Sequence, residues 1–299
     1  GVGGSFRNLC RMTKIMKKYP LRAIHNYVIS DADFKHVYDL MKGLDIDRKK
    51  KIKGISSGRA DILPAAFAAM SAFKRFMSLD NIVISGSGLR TGLLFNYALP
   101  STIDKPVSDV LTYSLNSLID FYGCDGPHTE HVVNLSIQLF KQLRVLHKSP
   151  RQYLKILKVA AFMYETGKTV GFYNFEKHNG YIILNSNIYG ISHRDLVLAS
   201  FVSANTSMED INAFDWFKYK DLVCDEDVDL VRKMGIMLRI AYALDRGLSS
   251  VVKGINCDIL GDSVIMKTEV NGDASLEINA AMKSAGDFRK IFKKNLEIL

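Results

Sequence analysis

Between Gly54 and Pro100 the sequence changes its period three times, and that limits the folds open to it. Ile62, Leu63, Ala66, Met70, Phe73 and Met77 recur at three- and four-residue steps, which predicts one face of a helix. Asn81 to Ser85 (NIVIS) is a short β-branched run bounded by turn residues, as a buried strand would be. Ser85-Gly86-Ser87-Gly88 breaks it, and Leu89, Leu93, Leu94 and Tyr97 restart a helical period that Pro100 ends. A strand running through a glycine turn into a helix presents backbone N–H groups at its tip, which suits a phosphate. Gly86, Gly88 and Gly92 do not fit the dinucleotide spacing, and no Lys-Ser or Lys-Thr pair follows as a P-loop needs. An ordinary tight connection in an α/β layer accounts for the same residues. Arg59 and Arg90 flank the two helices. They can hold an oxyanion bidentately or stand as solvated surface arginines.

The first residues repeat the theme. Gly1 to Met16 reads as a glycine loop entering a helix, with Ser5 as N-cap and Leu9, Met12 and Met16 on one face. Gly3 and Gly4 allow close backbone approach to a phosphate or nucleotide, though a plain strand-to-helix turn fits equally. His25 reads as a structural histidine. A chain that opens on a glycine loop without Met is expected to be a piece whose upstream part is absent. Ala32 to Leu44 is amphipathic, and Asp45 to Lys53 (DIDRKKKIK) reads first as a solvated turn and alternatively as part of a basic track for an anionic chain. Pro100 to Ser108 carries linker residues, so the domains are expected at 1–105 and 106–299.

From Val107 to Gly247 the pattern is nearly all helical. Val132, Leu135, Leu139, Leu143 and Leu146 form one stripe, and Leu154, Leu157, Ala161 and Tyr164 another. Val251 to Ile259 and Ser263 to Val270 read as strands. Asn271-Gly272 reads as a hairpin turn from which Ser275 to Asn279 pairs back, and Ser284 to Leu296 as a closing helix. The net charge of +9 favours polyanions such as polyphosphate, nucleic acid or anionic lipid. Cys10, Cys124, Cys224 and Cys257 are scattered without a CxxC pair, so they read as reduced, packed thiols and not as a zinc site. No apolar run reaches the ~20 residues of a membrane span.

Several motifs together resemble one family. GVGGSFRNL at the start, GRADILPAA from Gly58, VISGSGLRTGLL from Val83, FEKHNGYIILNSNIYGISHRD from Phe175 and the ending FKKNLEIL are similar to exopolyphosphatases and guanosine pentaphosphate phosphohydrolases. Thr91 stands where that family usually has Glu. The resemblance implies an α/β plus mainly α chain. It would be the remainder of an actin-like (ribonuclease H-like) lobe, followed by a degenerate HD-like helical domain with a small αβ tail.

The reaction implied is removal of terminal phosphate from inorganic polyphosphate or guanosine pentaphosphate, with Mg2+ in the complete enzyme. The phosphate loops and water-activating carboxylate of that chemistry do not appear in this sequence and are expected upstream of Gly1. The catalytic residues are therefore unknown. The chain is expected to be inactive alone and to hold phosphate through Gly3, Gly4, Ser5, Arg7, Arg59 and Arg90. The scattered cysteines read as those of a cytoplasmic protein, no nucleic-acid or membrane partner is expected, and the helix content allows a homodimer.

Against the HD pattern, His128 fits the first His. Tyr164-Glu165 replaces the His-Asp pair, Tyr242 stands at the late Asp, and His178 fits a recurring His. A His and a lone Glu would hold a divalent ion poorly, so no metal is expected here, and His131 reads as filler. Two rival readings are an active HD-type metal phosphohydrolase and a non-enzymatic polyanion-binding regulatory module.

Overall fold

The computed structural model describes residues 1–99, 107–205 and 213–299. The chain forms two compact units, Gly1–Ser108 and Asp109–Leu299. The division expected after residue 105, and the Pro100 helix stop, fall outside the described residues.

The first unit is built on helices and a two-stranded sheet. Helix α1 (Gly4–Met16) is followed by β1 (Tyr27–Ser30), α2 (Asp31–Lys42), α3 (Leu63–Phe76), β2 (Asn81–Ile84) and α4 (Leu89–Ala98). Ser30 ends β1 and caps α2 by accepting from Asp33 N at 3.2 Å. Strands β1 and β2 pair antiparallel, Tyr27 opposite Ile84 and Ile29 opposite Ile82. Those four residues face a core of Leu9, Cys10, Met12, Phe34, Val37, Met41, Leu63 and Phe67. Because side chains alternate along a strand, Val28 and Val83 face outward. The NIVIS strand is thus half-buried, not fully buried as its composition suggests. Asp45 to Lys53 is also more than a turn: Asp45 caps a short helix, Ile46–Lys50, by accepting from Arg48 N at 2.9 Å.

The apolar period of α3 proves double. Leu63 and Phe67 are buried and Met70 partly so, but Ile62, Phe73 and Met77 are exposed. The expected single face is therefore two faces, because Leu63 and Phe67 turn inward while Ile62 and Phe73 lie on the far side. Helix α4 forms where expected, yet Leu89, Leu93, Leu94 and Tyr97 are all exposed.

The second unit is a helical bundle carrying a three-stranded sheet. Its longer helices are α5 (Val110–Tyr122), α6 (Gly126–Gln142), α7 (Leu154–Phe162), α8 (Phe175–Asn185), α9 (His193–Ala204) and α10 (Glu226–Ala243). Val132, Leu135, Leu139 and Leu143 are buried as their spacing requires, and so are Leu157, Ala161 and Tyr164. Trp216 packs on Phe201 with ring centroids 4.9 Å apart. Strands β3 (Val252–Leu260) and β4 (Ser263–Val270) form the hairpin, closed at Gly261-Asp262. Asn271-Gly272 is not a hairpin turn. Asp273 accepts from Ser275 N at 3.0 Å, and Ser275–Met282 folds as α11, made of good helix formers (Leu, Glu, Ala, Met). The closing helix α12 (Ala285–Phe292) stops at Lys293 in the left-handed region. The chain then adds β5 (Asn295–Ile298) parallel to β4, with α11 and α12 as the crossover.

The free cysteines are not uniformly packed: Cys10 is buried and Cys224 is exposed. No helix among the described residues is long and apolar enough to cross a membrane.

Candidate functional site

The start of α1 is where three segments of the first unit converge. Gly3, at φ 104°, lets the chain turn sharply into the helix and is itself the N-cap. The helix begins at Gly4, so Ser5 lies in its first turn and is not the cap expected from sequence. No acidic residue occupies that turn, which leaves its free N–H groups and partial positive charge unopposed.

The second segment carries Arg59. Its guanidinium lies so close to Gly4 that a Cβ there would collide with Arg59 Cζ. Asn8 holds this segment in place. It is almost fully buried, donates from Nδ2 to Gly4 O at 2.8 Å, and accepts from Ser56 N at 2.8 Å. Gly54, at φ 98°, packs against α1, where a Cβ would meet Met12 N at 2.9 Å. The third segment is the turn after β2. A Cβ at Gly88 would be 3.0 Å from Arg7 Nη2, so Arg7 reaches from α1 to the glycine turn. Its Nε is buried with no hydrogen-bond partner. His25 Nδ1 accepts from Gly86 N at 3.3 Å, and burial lowers the pKa of that imidazole. Gly1 N donates to Val83 O at 2.7 Å and Gly1 O accepts from Ser85 N at 2.9 Å, the bond pair of a parallel neighbour beside Ile84.

The structure thus brings Gly3, Gly4, Arg7 and Arg59 together with Gly88. Arg90 remains exposed on α4, and none of these contacts involves it. Asn8 was missed by sequence reasoning although it sits inside GVGGSFRNL. Its signal was an amide one helical turn beyond a glycine, on the buried side of α1.

A second polar cluster lies in the other unit. Asp125 caps α6 and fixes its first turn, accepting from His128 N at 2.9 Å. His128 is buried, with Nδ1 2.7 Å from Asp245 Oδ2 and Nε2 3.5 Å from Glu165 Oε1. Glu165 Oε1 also accepts from Tyr242 Oη at 2.9 Å and is bonded by the Lys168 ammonium. Ser250 N donates to Asp245 Oδ1 at 2.7 Å. Burial disfavours the charged imidazole, but the two carboxylates outweigh it and raise His128 above its ordinary value. Burial likewise opposes the Glu165 carboxylate, yet His128, Lys168 and Tyr242 hold it down at about 2. The partner of His128 is therefore Asp245, one turn beyond Tyr242, which sequence reasoning passed over. His131 takes no part, and His178 stands beside Gly171. Among the described residues no group of three or more His, Cys, Asp or Glu is placed to hold a metal ion.

Residues 2–100 match the model of the Ppx/GppA phosphatase family, and residues 110–279 that of Ppx/GppA phosphatase, domain III. The chain belongs to the Ppx/GppA phosphatase family. Among curated relatives, a guanosine-5'-triphosphate,3'-diphosphate pyrophosphatase of Aeromonas salmonicida (strain A449) is 26% identical over 156 residues, 52% of this chain. The match covers 31% of that relative. An equally named protein of Aliivibrio fischeri (strain MJ11) is 26% identical over 147 residues, 49% of this chain and 27% of its own. The aligned stretch is thus about a third of each relative's length. In family terms the arginine cluster lies in the part matched by the family-wide model, and the His128 cluster in domain III.

Proposed function

We propose that this chain carries the substrate-holding side of a phosphoanhydride hydrolase of the exopolyphosphatase type. Arg7 and Arg59 grip phosphate at the start of α1, with the N–H groups of Gly4 and Ser5 beside them. Two guanidiniums set against glycine backbones, with no carboxylate bonded to either among the described residues, support this reading. Such cations are left for an anion to neutralise, and planar guanidinium matches phosphate oxygens in pairs. Arg90, exposed at the start of α4, extends the path toward a longer anion.

The substrate class is a phosphate chain or a guanosine pentaphosphate. The relatives' names favour the guanosine compound, and the charge of +9 suits either. Mg2+ belongs to the chemistry the resemblance implies. Arginines and glycine amides do not suit it as ligands, since a cation would be repelled. No step is therefore routed through the metal. The 299 residues as they stand hold substrate and do not turn it over, and the protein works in a reducing, cytoplasmic setting that suits its free thiols.

The helical unit is read as a degenerate HD-like domain. In it Lys168 and His128 supply the positive charge that a metal would bring. A divalent ion would have to displace the Lys168 ammonium from Glu165, which disfavours the active metal-phosphohydrolase reading.

The test is direct binding of long-chain polyphosphate and of guanosine pentaphosphate, with phosphate release followed in the same samples. We expect binding that weakens steeply with salt, falls in Arg59→Ala, and gives no release. Release at an enzymatic rate overturns the substrate-holding assignment, and binding unchanged in both Arg7→Ala and Arg59→Ala overturns the site.

A further inference from the structure

Helices α2 and α3 leave a hollow of about 430 Å³ between them, within the roughly 300–1,000 Å³ of small-molecule sites. Phe34, Tyr38 and Leu79 form its apolar wall. The hollow is separate from the arginine cluster. It is lined by Asp31, which follows Ser30, and by Asp80, which precedes Asn81, so it lies at the Ser30–Asn81 end of the β1–β2 ladder. The glycine turn that Arg7 reaches follows Ile84, at the other end of the same ladder.

Lys74 is the one cation of the lining that is buried. Its ammonium has three N–H groups to place. It donates to Asp31 Oδ1 at 2.5 Å and lies 5.7 Å from the centre of the Phe34 ring. A charge out of water must be answered, and Asp31 answers this one from the surface: its side chain is 67% exposed. Helix α2 does not need that carboxylate for its own start, because Ser30 is the cap. Asp31 can therefore turn out to solvent without disturbing the helix, provided another anion takes its place on Lys74.

The rest of the lining favours such an anion. Lys42 is committed to Asp39 at 3.1 Å and lies over the Tyr38 ring at 3.9 Å. Lys35 and Arg75 are exposed at the rim and form no ion pair among the described residues, and of the lining carboxylates only Asp80 is likewise unpaired. With Asp31 turned away, Lys35, Lys74 and Arg75 face one carboxylate. Ser71 adds a hydroxyl from α3. Two ammoniums and a guanidinium around one point suit the doubly charged, three-oxygen end of a phosphate ester better than a single carboxylate. The apolar wall leaves room for a compact organic body behind it.

We propose that the α2–α3 hollow is a binding site for a small phosphate monoester. Its phosphate displaces the Asp31 carboxylate from Lys74 and is flanked by Arg75 and Lys35, while its body lies against Phe34, Tyr38 and Leu79. Asp31 is thus an internal competitor that holds the ammonium until the ligand arrives. The inference does not depend on the phosphate-chain reading of the arginine cluster.

The experiment is isothermal titration with phenyl phosphate, inorganic phosphate and benzoate. We expect phenyl phosphate to bind more tightly than either of the others. Arg75→Ala should weaken it about tenfold, the scale of one charged hydrogen bond. Lys74→Met, which keeps the apolar stem, should abolish it. Arg59→Ala should leave it unchanged. The distinctive result is a gain: Asp31→Asn should tighten binding about threefold or more, because the competitor is gone. An ion pair that served only to hold α2 to α3 would give no such gain. Circular dichroism checks that Lys74→Met is folded, and Arg75→Ala, at an exposed position, keeps the test decisive if it is not. No binding of phenyl phosphate to either the unchanged protein or Asp31→Asn overturns the proposal. Binding lost in Arg59→Ala but kept in Arg75→Ala also overturns it, by placing the ligand at the arginine cluster. Asp31→Asn binding no more tightly than the unchanged protein overturns the displacement, and benzoate binding as tightly as phenyl phosphate overturns the choice of phosphate.

Discussion

The two polar clusters use cations in opposite ways. At the start of α1, Arg7 and Arg59 lie against glycine backbone with no carboxylate bonded to either among the described residues, and the helix terminus adds positive charge of its own. Around His128, every charge is answered: the imidazole lies between Asp245 and Glu165, and Glu165 is shared by Lys168 and Tyr242. An unanswered charge at a partly open place is costly until a ligand arrives, and so is suited to binding. A set of answered charges in an interior contributes to holding its surroundings together and leaves little for a ligand to take. Substitutions should therefore separate the two, one cluster changing stability and the other changing affinity.

The largest expected effect is in the balanced cluster. Asp245→Ala strands a buried imidazole and frees Ser250 N, and should destabilise the second unit by about 3 kcal/mol, the scale for breaking a buried charged pair. The single tryptophan, Trp216, lies buried in that unit, so its fluorescence in urea reports the loss directly. Polyphosphate binding should stay unchanged under native conditions. A stable Asp245→Ala protein would mean that the charges are not coupled as drawn.

Asn8→Ala comes next and tests where the contrast is blurred. It removes both the bond to Gly4 O and the bond from Ser56 N, at a cost of about 2 kcal/mol for buried groups left unpaired. Because Asn8 also holds the Arg59 segment, affinity should fall with stability. Arg59→Ala should behave differently. Loss of one charged contact should weaken phosphate-chain binding by about 1.5 kcal/mol, roughly tenfold, with little change in urea midpoint. Gly4→Ala should follow in the same direction but less strongly, since its methyl meets only the mobile end of Arg59. Isothermal titration beside denaturation would show whether affinity and stability part as expected.

Much of this organisation could be read from the residues, and the failures have physical causes. Local patterns carried the elements: the stripe from Val132 to Leu143, the glycine entry to α1 and the β3–β4 strands all lie where their periods put them. What failed needed partners distant in the chain. Asp245 follows Tyr242 by one helical turn, and only the approach of α10 to α6 selects the carboxylate over the phenol. The period of α3 predicts one face because Ile62, Ala66 and Phe73 continue the same three- and four-residue steps as the inner Leu63 and Met70. Asn271-Gly272 has the composition of a hairpin turn, but the helix-forming residues after it and the Asp273 bond to Ser275 N prevail. Arg7 and Arg59 were named from motif and flanking position, whereas Asn8, which holds the Arg59 segment in place, is visible only once residue 56 is seen beside residue 8.

The smallest expected effect is a pH dependence confined to the balanced cluster. Burial alone would lower His128, but the hydrogen bonds and charges of Glu165 and Asp245 raise its folded value above the ordinary ~6.5. A raised folded value means that the protonated form is favoured by folding. Its contribution to stability is then fully present below about pH 6.5 and is lost as pH rises through the raised value. Glu165 has the opposite sign. Held down at about 2, it contributes above its ordinary range and loses that contribution only as the solution becomes strongly acid. The urea midpoint reported by Trp216 should therefore decline as pH is raised from near neutrality, and His128→Gln should flatten that decline. Arg59→Ala should leave the profile as in the unchanged protein, because its cluster stands outside this charge balance. A flat profile in the unchanged protein would mean that His128 is not held charged, and that the second cluster is organised by neutral hydrogen bonds instead of answered charge.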